Sequence, residues 1–319
     1  MIARYSRNTI VLMGVCFIFS GATGLIYEVL WARMLGLVFG ATTLAVSTVL
    51  AAFMGGLALG SALAGKLGQK IEKPLSTYGL MEIGVAVYAL LVPFLFRWID
   101  NVYAWIWQHL HPGYFTFSLW RFLLSGAVLL VPTTLMGATL PVLAAVLVRS
   151  SRADSNSVTR LYACNLAGAI LGTLVAGFVL LPALGVRITI AVAAVINVLI
   201  GIVAIVLQRR TDLDFREHPV HPEKNPANPV SNFWYFAALA SGFVTISTQV
   251  SWTRSLTMII GSSTYAFSIV VALFLIGLAI GAWLVARKDR SQRLRSAILK
   301  VEALTALSLL LSLFVLNEI

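Results

Sequence analysis

The sequence SGATGLIYEVLWARMLGLVFGATTLAVSTVLAAFMGGLALGSAL, residues 20–63, has a second copy in SGFVTISTQVSWTRSLTMIIGSSTYAFSIVVALFLIGLAIGAWL, residues 241–284. The two copies align without a gap. The identical positions include a tryptophan, an arginine and spaced glycines: Trp31 and Trp252, Arg33 and Arg254, Gly56 and Gly277, Gly60 and Gly281. Because such matches do not arise from shared hydrophobicity alone, they indicate an internal repeat.

The composition is that of a membrane protein. Of the 319 residues, 59% are hydrophobic and 11% are charged, and the mean hydropathy is +0.91. A soluble domain carries about 25% charged residues and could not bury this much apolar surface. The sequence therefore predicts an all-α fold, a polytopic bundle of membrane helices in contact with the lipid bilayer.

Nine stretches are apolar over about 20 residues, the length that crosses a bilayer. They fall at 10–32, 42–65, 77–97, 119–147, 158–182, 187–208, 232–253, 262–286 and 297–317. Because the fourth contains Pro132 and Pro141, we expect it to be kinked or broken. The Trp- and Tyr-rich segment 98–118 predicts an interfacial helix or aromatic belt.

The basic residues predict an orientation. If the N-terminus is cytoplasmic, 18 of the 23 Lys and Arg residues fall on the inside, at the N-terminus and within 66–73, 149–160, 209–224 and 287–300. This is the distribution of the positive-inside rule. The net charge of +11 is therefore mainly a topology signal, and it gives little support to nucleic acid as a partner.

The repeat predicts a parallel pseudo-symmetry. Six spans separate its copies, so both copies run the same way through the membrane, as in the two six-helix halves of major facilitator transporters. The predicted domains are residues 1–208, the first half; 209–231, a cytoplasmic linker; and 232–319, the first three helices of the second half. The second half is thus incomplete, and we expect this chain to be a fragment or a truncated product.

Glu28 is the most conspicuous polar residue of the first span. A carboxylate within a membrane is costly unless it faces protein, water or a cation, so Glu28 predicts a binding site to which Tyr27 and Trp31 would contribute. Its counterpart in the second copy is Gln249, so such a site would be asymmetric. The alternative is an interfacial glutamate near the outer end of the span, neutralised by Arg33 and the aromatic belt.

Three further kinds of polar residue lie in apolar stretches. Glu82 and Glu302 begin the third span of each half, where they could line a cavity or stabilise a helix N-terminus. Asn165 is expected to form an interhelical hydrogen bond and is a second candidate to contact substrate. Arg33 and Arg254 could anchor the helix ends at lipid head groups or pair with the carboxylates.

The remaining motifs predict structure rather than chemistry. Small-xxx-small patterns let helices approach closely, and they occur at Gly56 and Gly60, Gly168 and Gly172, and Gly277 and Gly281. The sequence contains no phosphate-binding loop, dinucleotide motif or HExxH motif. We therefore predict no catalytic residue, no metal and no cofactor in this chain.

Five stretches carry a resemblance to a known family: SGATGLIYEVLWARML, FGATTLAVSTVLAAFMGGLALGS, PLSTYGLMEIGVAVY, PTTLMGATLPVL and LYACNLAGAILGTLVAGFVLLPALG, together spanning about residues 20–185. In these stretches the sequence resembles the membrane part of the bacterial fused major-facilitator/spermidine-synthase-like proteins. The resemblance implies the bacterial inner membrane and a cytoplasmic, Rossmann-like aminopropyltransferase domain as partner. The catalytic residues of that domain have no positions in this sequence.

Two functions follow as hypotheses. One is a transporter-like domain that handles a polyamine or a related small cation, for which carboxylates and aromatic faces are the suitable ligands. The other is a membrane anchor for the synthase domain, without transport activity; a scaffold for another membrane complex is a third, weaker alternative.

Overall fold

The protein, seen in a computed structural model, is described over residues 7–39, 43–67, 71–111, 113–148, 157–214, 232–287 and 294–317, which are almost wholly helical and contain no strand. The helices are α1 Arg7–Phe39, α2 Thr43–Leu67, α3 Pro74–Leu110, α4 Tyr114–Val148, α5 Ser157–Val175, a π-helical turn Ala176–Leu180, α6 Leu181–Asp214, α7 Asn232–Ile260, α8 Ser263–Arg287 and α9 Leu294–Asn317. The predicted all-α class is confirmed.

Six segments in the described part of the chain are long and apolar enough to cross a membrane. They lie in α1, α2, α3, α4, the 54-residue stretch Ser157–Arg210, and α8. The long stretch contains α5, the π-helical turn and most of α6. Within α6, Gly185 leaves helical geometry with φ of 72° and marks a kink. The chain is therefore a helical, multi-pass membrane protein, as its composition predicts.

Three helix pairs build the bundle of α1 to α6: α1 packs against α5, α2 against α4, and α3 against α6. Glycines permit close approach in all three. A Cβ at Gly168 or Gly172 would meet the α1 backbone, one at Gly56 or Gly60 would meet α4, and one at Gly79 would meet the carbonyl of Gly201. At these glycines the backbones of paired helices lie close together, which is the geometry that small-xxx-small patterns permit.

Gly277 and Gly281 behave differently from their counterparts Gly56 and Gly60. A Cβ built at either would meet nothing within 4 Å. The reason is that α4 covers the glycine face of α2, whereas no described helix covers the corresponding face of α8. The predicted packing contacts of Gly277 and Gly281 are therefore not present in the described structure.

Helix α4 is continuous, and the segment before it is not a helix of its own; the predicted kink in α4 and the predicted aromatic belt stay predictions. The helix α4 runs from Tyr114 to Val148 with Pro132 and Pro141 inside it, so the span is not broken there. The segment 98–118 is not a separate interfacial helix, because α3 continues to Leu110 and α4 begins at Tyr114. With 37 residues, α3 is about 55 Å long and exceeds the thickness of a bilayer.

The second-half helices meet the first half mainly through α8, which packs against α5 as well as α7. At that contact the rings of Phe178 and Tyr265 stack at 5.2 Å. The residues of α9 are exposed from 299 to 308.

Parts of two sequence predictions lie outside the described residues. Of the predicted linker 209–231, residues 209–214 complete α6 and residues 215–231 are not described. Outside the described residues also lie several basic residues used for the predicted orientation: Arg4, Lys70, Arg149, Arg152, Arg216, Lys224, Lys288, Arg290 and Arg293.

Candidate binding site in the helix bundle

Glu28 is buried in the middle of the bundle. Its side chain is 1% exposed, and Oε1 has no hydrogen-bond partner. The sequence placed it near the outer end of its span, but α1 continues for eleven residues more, to Phe39, which adds about 16 Å of helix. Glu28 therefore reaches neither a helix end nor the protein surface in the described structure, and the alternative of an interfacial glutamate stays a prediction.

Tyr27 and Trp31 form an aromatic pair beside Glu28. They lie one turn apart on α1, both are fully buried, and their rings stack at 5.5 Å with 12° between the planes. The Tyr27 hydroxyl and Trp31 Nε1 also lack a hydrogen-bond partner. Because adjacent residues of a helix differ by about 100° in direction, the carboxylate and the aromatic pair occupy neighbouring faces of α1.

These three unpartnered groups form the candidate site. Buried polar groups are almost always hydrogen-bonded, and leaving one without a partner costs about 1–3 kcal/mol, or more if it is charged. A carboxylate oxygen, a hydroxyl and an indole N–H without a partner thus lie within residues 27–31 of one helix, and this makes the stretch the candidate site.

Glu82 is equally buried, at 1% exposed, but its oxygens have partners. The Ser20 hydroxyl of α1 donates to Oε1 at 2.6 Å, and the Asn197 amide of α6 donates to Oε2 at 2.8 Å. Helix α3 begins at Pro74, so Glu82 lies in its third turn and does not stabilise the helix N-terminus as one interpretation held. The carboxylate instead joins three helices.

The partners of Glu82 were not singled out from the sequence. A lone asparagine in the apolar run AAVINVL of α6 was the available signal for Asn197. Ser20 is the first residue of the repeated stretch, with Ser241 as its counterpart. On α3, Tyr78 lies one turn before Glu82 and packs edge-on against Phe17 at 6.3 Å.

Asn165 lies at the contact of α5 with α1. Its side-chain amide donates to the carbonyl of Phe17 at 3.2 Å. A Cβ at Gly21 would collide with the Asn165 backbone, so the two helices are very close here. The expected interhelical hydrogen bond is confirmed, and it assigns Asn165 to helix packing in this conformation.

Arg33 and Arg254 line the same cavity, which has a volume of about 250 Å³ and lies between α1, α2, α7 and α8. Arg33 Nη1 donates to the Thr264 hydroxyl at 3.2 Å. Among the described residues, neither Glu28 nor Glu82 forms an ion pair with either arginine, so the structure does not show the arginines as charge partners of these carboxylates.

The candidate site thus consists of Glu28, Tyr27 and Trp31, with Glu82 and Asn165 serving as interhelical hydrogen-bonding residues. In the described part of the chain, no three His, Cys, Asp or Glu residues are grouped so as to hold a metal ion. No family model matches this chain, and no curated protein or solved structure matches it either.

Proposed function

We propose that this chain is a transporter-like membrane domain that handles polyamines or related small cations, with Glu28 as the cation-binding carboxylate. The observation that carries the proposal is a fully buried glutamate whose Oε1 has no partner. Ionisable residues inside membranes are costly and mark substrate or ion pathways. An ammonium group would offset that cost by donating to the orphan oxygen.

The contrast between two carboxylates supports the assignment. Glu82 is occupied by Ser20 and Asn197, so it needs no ligand. Glu28 has no such donors, and the stacked rings of Tyr27 and Trp31 on the next face of α1 offer the aromatic surface that organic cations favour. Of these two buried glutamates, Glu28 is therefore the one with an oxygen that has no hydrogen-bond partner.

The packing of the first half supports a major-facilitator-like architecture, in which each half contains two inverted three-helix units. In such an arrangement α1 corresponds to α4, α2 to α5 and α3 to α6. The α1–α5 pair then corresponds to the α4–α2 pair, and the α3–α6 pair corresponds to itself. The pairing is therefore the one that two such units would produce.

Local details support the same two units. The sequence GAT occurs on α1 at 21–23 and on α4 at 137–139. In each copy the threonine hydroxyl donates to the carbonyl three residues earlier, from Thr23 to Ser20 and from Thr139 to Met136. In each case the partner helix carries a glycine pair spaced by four residues: Gly168 and Gly172 on α5, and Gly56 and Gly60 on α2.

The resemblance to the fused major-facilitator/spermidine-synthase-like family suggests the setting. We propose a bacterial inner membrane, a cytoplasmic N-terminus and an aminopropyltransferase-type domain of the same parent protein as partner. The excess of basic residues in alternate connecting segments supports this orientation.

The test is uptake of radiolabelled spermidine into proteoliposomes that contain the full-length parent protein. We expect Glu28→Gln to lower the initial rate at least about tenfold, the effect of losing 1.4 kcal/mol of cation binding. Glu302→Gln is the matched control, since it makes the same chemical change at an exposed position. Uptake that is unchanged in Glu28→Gln would remove Glu28 from the site.

An anchor without transport activity is the second candidate. The hydrogen bonds of Glu82 and Asn165 favour it, because they show polar membrane residues serving to join helices. Its test is aminopropyl transfer from decarboxylated S-adenosylmethionine by the parent protein with and without residues 1–319. Activity that survives the deletion, together with absent spermidine uptake by the intact protein, would favour the anchor.

A further inference from the structure

The cavity that contains Arg33 and Arg254 receives equivalent positions from both copies of the repeat. It lies where each copy turns from its first helix into its second, between α1, α2, α7 and α8. Ten of its lining residues form five repeat-related pairs: Val29 and Val250, Ala32 and Thr253, Arg33 and Arg254, Gly36 and Thr257, Val46 and Phe267. The cavity therefore lies on the boundary between the two halves.

Its charge is positive. Both arginines are exposed to the cavity region, and the residues that line it include no Asp or Glu. The first turns of α2 and α8 also reach the wall, through Val46 and Thr264. A helix N-terminus carries a partial positive charge, so two such ends add to the field of the two guanidinium groups.

The hydroxyl groups in the wall have different roles. Thr253 and Thr257 each donate to a backbone carbonyl of their own helix, so their protons are already in use. Thr264 accepts from Arg33, which leaves its own proton available. The donors that line the cavity thus include the guanidinium groups of Arg33 and Arg254 and the Thr264 hydroxyl, a set that suits an oxyanion.

We propose that Arg33 and Arg254 form a binding site for a phosphate-type oxyanion between the two halves of the protein. Guanidinium groups bind phosphate by paired, charge-assisted hydrogen bonds. An anion that contacts both arginines bridges the halves at this end of the bundle. This site is opposite in charge to the cation site at Glu28, goes beyond the proposed function and does not depend on it.

The test uses the unaltered chain in phosphatidylcholine nanodiscs. Phenylglyoxal modifies accessible arginines, and mass spectrometry gives the rate at each position. Inorganic phosphate should slow modification of both Arg33 and Arg254, by about tenfold at ten times its Kd, relative to chloride at equal ionic strength. Arg97, exposed on α3 and outside the cavity, is the control and should react at an unchanged rate.

A second arm identifies the source of the anion. Nanodiscs that contain phosphatidylglycerol, without free phosphate, should protect the same two arginines if the bound group is a lipid headgroup. Protection by free phosphate alone identifies a soluble anion, and either pattern supports the site. The proposal is overturned if neither phosphate nor phosphatidylglycerol slows modification of the pair, or if Arg97 is slowed to the same extent.

In a third arm, Arg33→Gln should abolish the protection of Arg254, because one anion would contact both arginines. Arg97→Gln should leave that protection intact. Full protection of Arg254 in the Arg33→Gln protein would contradict a shared site.

Discussion

Replacing Gly60 with valine is expected to destabilise the chain severely. A Cβ at this position would overlap the carbonyl of Thr134 and press on the backbone nitrogen of Ala138. Backbone atoms of α4 cannot rotate away as a flexible side chain can, so α2 and α4 must separate. We expect a loss of about 3 kcal/mol, the upper end of the usual cost of overpacking. Thermal denaturation in one detergent, followed by size-exclusion chromatography, measures it.

Gly281→Val is the matched control for this prediction. Gly281 is the repeat counterpart of Gly60 on α8, and a Cβ there meets nothing within 4 Å. Both substitutions introduce the same β-branched residue into a helix, so differences in helix propensity largely cancel. Equal melting temperatures for the two variants would contradict the assigned α2–α4 contact.

Glu82→Ala is expected to have the second large effect. The substitution removes the acceptor of both Ser20 and Asn197 and leaves two donors unpaired among buried side chains. Unsatisfied groups cost about 1–3 kcal/mol each, and hydrogen bonds measured within membranes fall at the lower end of such values. We expect a loss of about 2–4 kcal/mol in the same denaturation assay.

Two companion variants show whether the hydrogen bonds or the charge of Glu82 are responsible. Glu82→Gln keeps the shape and one carbonyl acceptor, so it should cost less than about 1 kcal/mol. Glu302 corresponds to Glu82 after a one-residue shift of the repeat alignment and lies at an exposed position of α9. Glu302→Ala should therefore stay within about 0.5 kcal/mol of the parent chain. A Glu82→Gln protein as unstable as Glu82→Ala would refute the hydrogen-bonding role.

Each of the nine predicted spans overlaps a described helix, because hydropathy is a local property. The spans predicted at 232–253 and 297–317 are not among the six described segments that are long and apolar enough to cross a membrane. The ends of the predicted spans were less accurate: α1 continues to Phe39 and α3 to Leu110, well beyond their apolar runs. A helix continues as long as its backbone hydrogen bonds are satisfied, which does not require apolar side chains. As a result, Glu28 lies eleven residues before the end of α1, whereas the predicted span placed it near the end.

The repeat illustrates what local sequence similarity leaves undetermined. Gly60 and Gly281 occupy equivalent positions in nearly equivalent helices, yet only Gly60 has a neighbour in the described structure. Glu82 and Glu302 likewise begin as counterparts and differ in burial. Packing depends on the helix that lies opposite, and similarity between two stretches carries no information about that helix.

The sequence by itself determined that this is a multi-pass helical membrane protein, that it contains a repeat, and which polar residues lie in apolar stretches, because composition and periodicity are properties of the chain. Tertiary structure decided which of those residues are satisfied. Glu82 accepts hydrogen bonds from two other helices, and Glu28 Oε1 has no hydrogen-bond partner. Arg33 lines the same cavity as Arg254 of the other copy. Each outcome depends on residues distant in sequence, brought together only when the helices pack.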